Sequence, residues 1–270
     1  MNIPFTKAHG AQNDFLLSWL PDLPAVASFN LLAIHICSRH TGIGADGWFL
    51  VSPAEQGCDV RIRLFNSDGS EVEMSGNGTR CAAAWALANG KATGPQVKIL
   101  TGAGPRSMTL LEQDAERYVF KMDMGSAKVA AGDLETTLEL SSGTVSCAVI
   151  HVGNPQCVVF VDNFDFDWAK MGAEIETNSR FPNRTNVSFV KLIDVHSIDA
   201  RFFERGVGVT NSSGTGSTGA MAAAVLRGLA QSPVDVHTPA GILNLLWEDT
   251  IYLTGPAELI ATGLFTMREE

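Results

Sequence analysis

Two glycine-rich pentapeptides, Ser75-Gly76-Asn77-Gly78-Thr79 and Ser213-Gly214-Thr215-Gly216-Ser217, each open an alanine-rich apolar run, and they lie 138 positions apart in a chain of 270 residues. The same offset carries Phe65 onto Phe203, Asn66 onto Glu204 and Ala82 onto Ala220. A strand, a glycine loop and an apolar helix are therefore used twice, which points to a duplicated architecture. Glycines let a backbone approach a ligand closely, and the first N–H groups of a helix have no internal partner. Two such helix starts facing one cleft would hold an anion. The sequence thus predicts a two-lobed site for a small carboxylate, with a serine at the head of each helix.

A chain of this length suits two domains of about 130 residues each. A hydrophobic content of 45% against 18% charged residues is that of a globular protein. The net charge of −10, with no cluster of Lys and Arg, argues against nucleic acid or an anionic membrane as partner. The first seven residues lack an apolar h-region, and no run reaches the roughly 18 apolar residues of a membrane span. Five scattered cysteines, Cys37, Cys58, Cys81, Cys147 and Cys157, fit neither a metal pattern nor a disulfide framework. A reduced, cytoplasmic protein with no metal is expected.

Along the chain, residues 5–15 alternate and lead to a strand ending at Pro21, while residues 28–38 carry apolar side chains at helical spacing. Residues 59–65 alternate strictly as a strand, followed by turn chemistry at 66–70. Short strands are expected at 97–100, 107–111 and 118–124, and again at 145–152, 156–161, 185–191 and 197–204. Residues 241–247 and 250–254 read as a hairpin before a strand at 258–265. Many short strands with few helices predict an α+β fold of two pseudo-symmetric lobes, each a mostly antiparallel sheet wrapped around a central helix. The expected lobes are residues 1–118, completed by 262–270, and residues 119–261.

Several blocks in fixed order make the chain similar to the diaminopimelate epimerase family, within the cofactor-independent amino-acid racemases. They are residues 7–15 (KAHGAQNDF), 39–47 (RHTGIGADG), 65–74 (FNSDGSEVEM) running into GNGTRC at 76–81, Gly153-Asn154-Pro155, FPNRTNV at 181–187, and Glu204-Arg205-Gly206 running into Gly214-Thr215-Gly216. The resemblance covers nearly the whole chain. It implies proton exchange at an α-carbon without cofactor or metal, between a thiolate and a thiol that precede Gly76 and Gly214, and a homodimer. It also implies a substrate clamp of Asn13, Asn66, Gly76, Asn77, Asn154, Asn186, Glu204, Arg205, Gly214 and Thr215. A guanidinium can grip a carboxylate through paired hydrogen bonds, and amides can read an ammonium or carboxylate without adding charge.

This chain departs from the family pattern at the reacting groups. Ser75 and Ser213 stand at the two cysteine positions, Gln156 where a histidine is expected, and Val209 where an acidic residue often follows Glu204. A thiol has an ordinary pKa of about 8.5, whereas a serine needs an adjacent base to become reactive. Ser75 and Ser213 therefore read equally as helix caps and as acid/base groups. Cys81, beyond the first loop, reads as core. The leading expectation is stereoinversion of L,L-diaminopimelate to the meso form. The alternatives are a related isomerase or dehydratase for another amino acid, and an amino-acid-binding homologue without catalysis.

Overall fold

The computed structural model describes residues 2–55 and 57–267; the ends of the expected first lobe, residue 1 and residues 268–270, lie outside them. The chain forms two units, Met1–Met122 with Gly255–Glu270, and Asp123–Thr254. Among the described residues no helix is long and apolar enough to cross a membrane.

The first unit begins with β1 (Asn2–Gly10) and β2 (Asn13–Trp19), an antiparallel pair closed by Ala11 and Gln12, both at positive φ. A two-residue hairpin turn needs that backbone, but its usual signature is Asn-Gly or Asp-Gly. Ala-Gln carries no such signal, so the single alternating segment expected over residues 5–15 is in fact parts of two strands. Helix α1 (Phe29–Cys37) is capped by Ser28, whose Oγ accepts from Leu31 N at 3.3 Å, and it buries Leu32, Ala33, Ile36 and Cys37. Strand β3 (Gly47–Pro53) pairs parallel with β2 and buries Trp48 through Val51 without a break. Lacking alternation, it is invisible to a period-two reading. Strand β4 (Val60–Asn66) alternates as expected and pairs antiparallel with β3. Then come β5 (Glu71–Val72), helix α2 (Gly76–Ala88), β6 (Gln96–Thr101) parallel to β4, β7 (Gly104–Asp114) and β8 (Arg117–Gly125). Helix α2 is buried on all sides from Gly76 to Ala86, as a central helix must be.

The second unit repeats this order after β9 (Thr136–Leu140). Strands β10 (Gly143–His151) and β11 (Pro155–Phe160) form the hairpin, and α3 (Trp168–Glu176) follows. Strand β12 (Asn186–Asp194) is parallel to β11, and β13 (Ser197–Glu204) is antiparallel to β12. Strand β14 (Gly208–Thr210), helix α4 (Gly214–Leu226), β15 (Val234–Thr238) parallel to β13, β16 (Gly241–Trp247) and the start of β17 (Ile251–Thr266) complete it, and from Gly255 onward β17 belongs to the first unit. The sequence reading missed α3 because Gly172 interrupts it and its buried residues are only Gly172, Ile175 and Glu176. Gly172 is there for packing, since a Cβ would meet that of Phe203 at 2.8 Å. Residues 251–254 and 258–265, expected as separate strands, belong to one strand, β17, which runs through Gly255-Pro256. The fold is α+β.

In each unit an apolar cluster fills the space between the sheet and its outer helix. Ile3, Leu16, Ile36, Trp48, Leu50 and Phe65 form the cluster beneath α1, and Leu138, Cys157, Val159, Ile175 and Phe189 the one beneath α3. The central helices α2 and α4 pack against strands of the same units, including β1 and β2 for α2, and β11 and β12 for α4. Each glycine loop is thereby fixed between a packed sheet and a fully buried helix.

Candidate active site

Both serines occupy the N-cap position. Ser75 has extended backbone and its Oγ accepts from Gly78 N at 3.2 Å; Ser213 does the same with Gly216 N at 3.0 Å. The second glycine of each loop is required by packing. A Cβ on Gly78 would lie 2.4 Å from the Phe49 ring, and one on Gly216 would lie 2.7 Å from the Phe202 ring. The glycines bring α2 and α4 down onto strand aromatics and so fix where the first helical N–H groups point.

The two loops differ in what surrounds the serine. Ser213 is buried, and its Oγ donates to Glu204 Oε2 at 2.9 Å, while Glu204 Oε1 accepts from Thr210 Oγ1 at 2.8 Å. Sequence reasoning placed no base beside either serine and took Glu204 for the clamp. The hairpin of β13 and β14, which pairs Glu204 with Gly208, returns the chain so that Ser213 meets this carboxylate. Ser75 is half-buried and receives the Gly78 contact, and among the described residues no hydrogen bond joins its side chain to a carboxylate.

Among the other expected clamp residues, Asn13 begins β2 and donates from Nδ2 to Asp46 Oδ2 at 2.6 Å; its Oδ1 accepts from Asn77 Nδ2 at 3.4 Å. Asn66 ends β4 and serves a turn, with its Nδ2 on Ser70 Oγ at 3.2 Å. In the second unit, Asn186 Oδ1 accepts from Arg205 N at 3.0 Å and its Nδ2 donates to Pro155 O at 3.1 Å, so it braces the backbone that carries Arg205. Glu176, at the end of α3, holds the next residue by accepting from Gly206 N at 2.9 Å. Sequence reasoning missed it because it lies outside every glycine loop. Asn154 Nδ2 donates to Thr215 Oγ1 at 3.3 Å and its Oδ1 accepts from Gln156 Nε2 at 2.7 Å. Gln156 thus braces Asn154, and the absence of a side chain on Gly219 makes room for it.

Two of the buried thiols are held in their protonated form. Burial pushes Cys81 up to about 12, and burial with the nearby Asp14 and Asp46 charges does the same to Cys37. Both remain protonated core groups near neutral pH. Among the described residues no cluster of His, Cys, Asp and Glu is arranged to hold a metal ion. Each loop offers helix N–H groups to an anion, and the second adds a hydroxyl hydrogen-bonded to a carboxylate, an arrangement that can move a proton.

Known proteins resemble the chain over its whole length. A family model described as diaminopimelate epimerase matches residues 5–130 and 148–260. A diaminopimelate epimerase of Halothermothrix orenii is 35% identical over 287 residues, covering 100% of both chains, and one of Pelotomaculum thermopropionicum is 36% identical over 278 residues, covering 98% of this chain and 99% of its own. Among solved structures, a hydroxyproline epimerase from Agrobacterium vitis superposes with a TM-score of 0.79 at 14% identity, covering 97% of this chain and 92% of its own. A methylitaconate-delta-isomerase gives 0.68 at 15% identity, covering 98% and 95%. The last two speak to fold alone. With a family match over most of its residues and relatives aligned end to end, the chain belongs to the diaminopimelate epimerase family.

Proposed function

We propose that this protein inverts the α-carbon of a zwitterionic amino acid without a cofactor, with L,L-diaminopimelate as substrate and the meso form as product. The observation that carries this reading is the hydrogen bond from Ser213 to Glu204 at the start of α4. As the α-proton moves to Ser213 Oγ, the hydroxyl proton of Ser213 passes to Glu204, so the carboxylate serves as the base that a lone serine lacks. The helix N–H groups of the glycine loops stabilise the negative charge that develops on the substrate. Ser75 is the second acid/base group and returns the proton, and solvent restores both groups. Arg205, with its backbone fixed by Asn186 and Glu176, holds a substrate carboxylate. The protein acts as a homodimer; Ile260 and Leu264, both exposed on β17, are apolar groups that a second copy would cover.

A second reading has its own support. Of the two cap serines, only Ser213 has a carboxylate partner among the described residues, which favours a reaction at one face, an isomerisation or dehydration of another amino acid. Assays of inversion, isomerisation and dehydration over a panel of amino acids separate the two, with titration calorimetry on the same panel. The first reading expects inverted diaminopimelate, and a loss of about 1.5–3 kcal/mol of binding in Arg205→Ala. Turnover of another amino acid without inversion selects the second. Binding with no turnover of any kind would leave a binding protein.

A further inference from the structure

The offset that superimposes the two loops places Arg80 on Thr218. In α4, Thr218 Oγ1 donates to Gly214 O at 2.8 Å; in α2, Arg80 Nη1 donates to the corresponding Gly76 O at 3.3 Å. The same carbonyl is satisfied twice, but only the first loop uses a charge to do it. Arg80 is fully buried, and its other contacts are Asn77 Oδ1 at 2.7 Å and Pro256 O at 3.1 Å. All three partners are neutral oxygens, and among the described residues no carboxylate forms an ion pair with it. A buried guanidinium without counter-charge is an expensive arrangement. A tie to Gly76 O needs no charge, as Thr218 demonstrates.

The contacts of Arg80 continue in one direction. Its Nη2 donates to Asn77 Oδ1, Asn77 Nδ2 donates to Asn13 Oδ1, and Asn13 Nδ2 donates to Asp46 Oδ2. An arginine can only donate and an ionised aspartate can only accept, so the two ends fix the sense of both amides between them. The acidic end is neutralised, because Arg39 bridges Asp46 and Asp14 and Lys7 pairs with Asp14. The basic end is not. The loop therefore presents helix N–H groups backed by one uncompensated positive charge.

Resting on the reading that this loop receives a ligand carboxylate, we infer that Arg80 is a positioning residue that makes the first loop select an anion, and that Asp46 sets the sense of the amides through which it acts. A carboxylate held by the N–H groups of Gly76 and its neighbours would supply the missing counter-charge. A neutral group of the same shape would not.

The test uses acetate and acetamide as probes, followed through the backbone N–H shifts of Gly76 and Gly78, with diaminopimelate titrated in parallel. The full-length protein should prefer acetate by about tenfold or more, and the Nε–H resonance of Arg80 should move with acetate and not with acetamide. Arg80→Met should reduce the preference to about twofold, and Arg80→Lys, which keeps the charge, should restore part of it. Asp46→Asn alone leaves Arg80 to orient the amides and should change little; in the Arg80→Met background it should cost more than it does alone. If Arg80→Met fails to fold, the Arg80 resonance in the parent protein still decides. Equal binding of the two probes, or a folded Arg80→Met with the full preference, overturns the inference whatever diaminopimelate does. An Arg80-dependent preference for acetate in a protein that ignores diaminopimelate supports the inference and removes the substrate proposed above.

Discussion

At the scale of single residues, the loops are alike in capping and unlike in chemistry. Glu204→Gln keeps the shape of the carboxylate and removes its basicity, so α-proton exchange should fall by about 10²–10⁴-fold with little change in binding; isotope-exchange kinetics beside calorimetry reads both. A rate within threefold of the parent would remove Glu204 from the mechanism. Asp14 illustrates a purely structural charge. Burial alone would raise it, but hydrogen bonds and charge from Arg39 and Lys7 outweigh that and hold it below the ordinary aspartate value of 3.8. A lowered pKa means stability that is present above that value and lost as pH falls through it. Asp14→Asn should therefore lower stability near neutral pH and flatten the loss of stability as pH falls below 3.8, as urea titrations on either side of that value would show. Asn13, Asn77, Glu204 and Arg205 were legible as candidates from their blocks. The contact of Glu204 with Ser213 was not, because it depends on how far the β13–β14 hairpin returns the chain.

At the scale of elements, capping and close approach do separable work. Ser75→Ala should cost about 1 kcal/mol, the value of a lost N-cap, whereas Gly78→Ala should cost about 1–3 kcal/mol because a methyl would overlap the Phe49 ring. Chemical denaturation measures both, and the reverse ranking would mean that packing does not set the position of α2. Helix α1 was legible because its apolar residues recur at helical spacing and Ser28 caps it. Strand β3 and helix α3 were not, the first because both its faces are covered, the second because a glycine stands where an apolar residue would signal the stripe. The β1–β2 turn shows a third kind of failure. Ala11 and Gln12 adopt a backbone that neither residue favours, so the pairing of the flanking strands selects the turn.

At the scale of the whole molecule, the repeat seen first in two glycine loops extends to every element after the opening hairpins, including both parallel pairings in each unit. The order of elements is duplicated while the charges are not. Arg80 stands in one copy where Thr218 stands in the other, and Glu204 where Asn66 stands. This division, a buried cation in one copy and a serine–carboxylate pair in the other, is what the proposed chemistry uses. Its most direct test is deuterium uptake at the α-carbon when L,L-diaminopimelate is incubated with the protein in D₂O, followed by NMR and by chiral separation of the product. The account predicts deuterium at the inverted centre of the meso product, at a rate that collapses in Glu204→Gln. Diaminopimelate recovered with neither inversion nor deuterium, under conditions where the protein is folded, would contradict it.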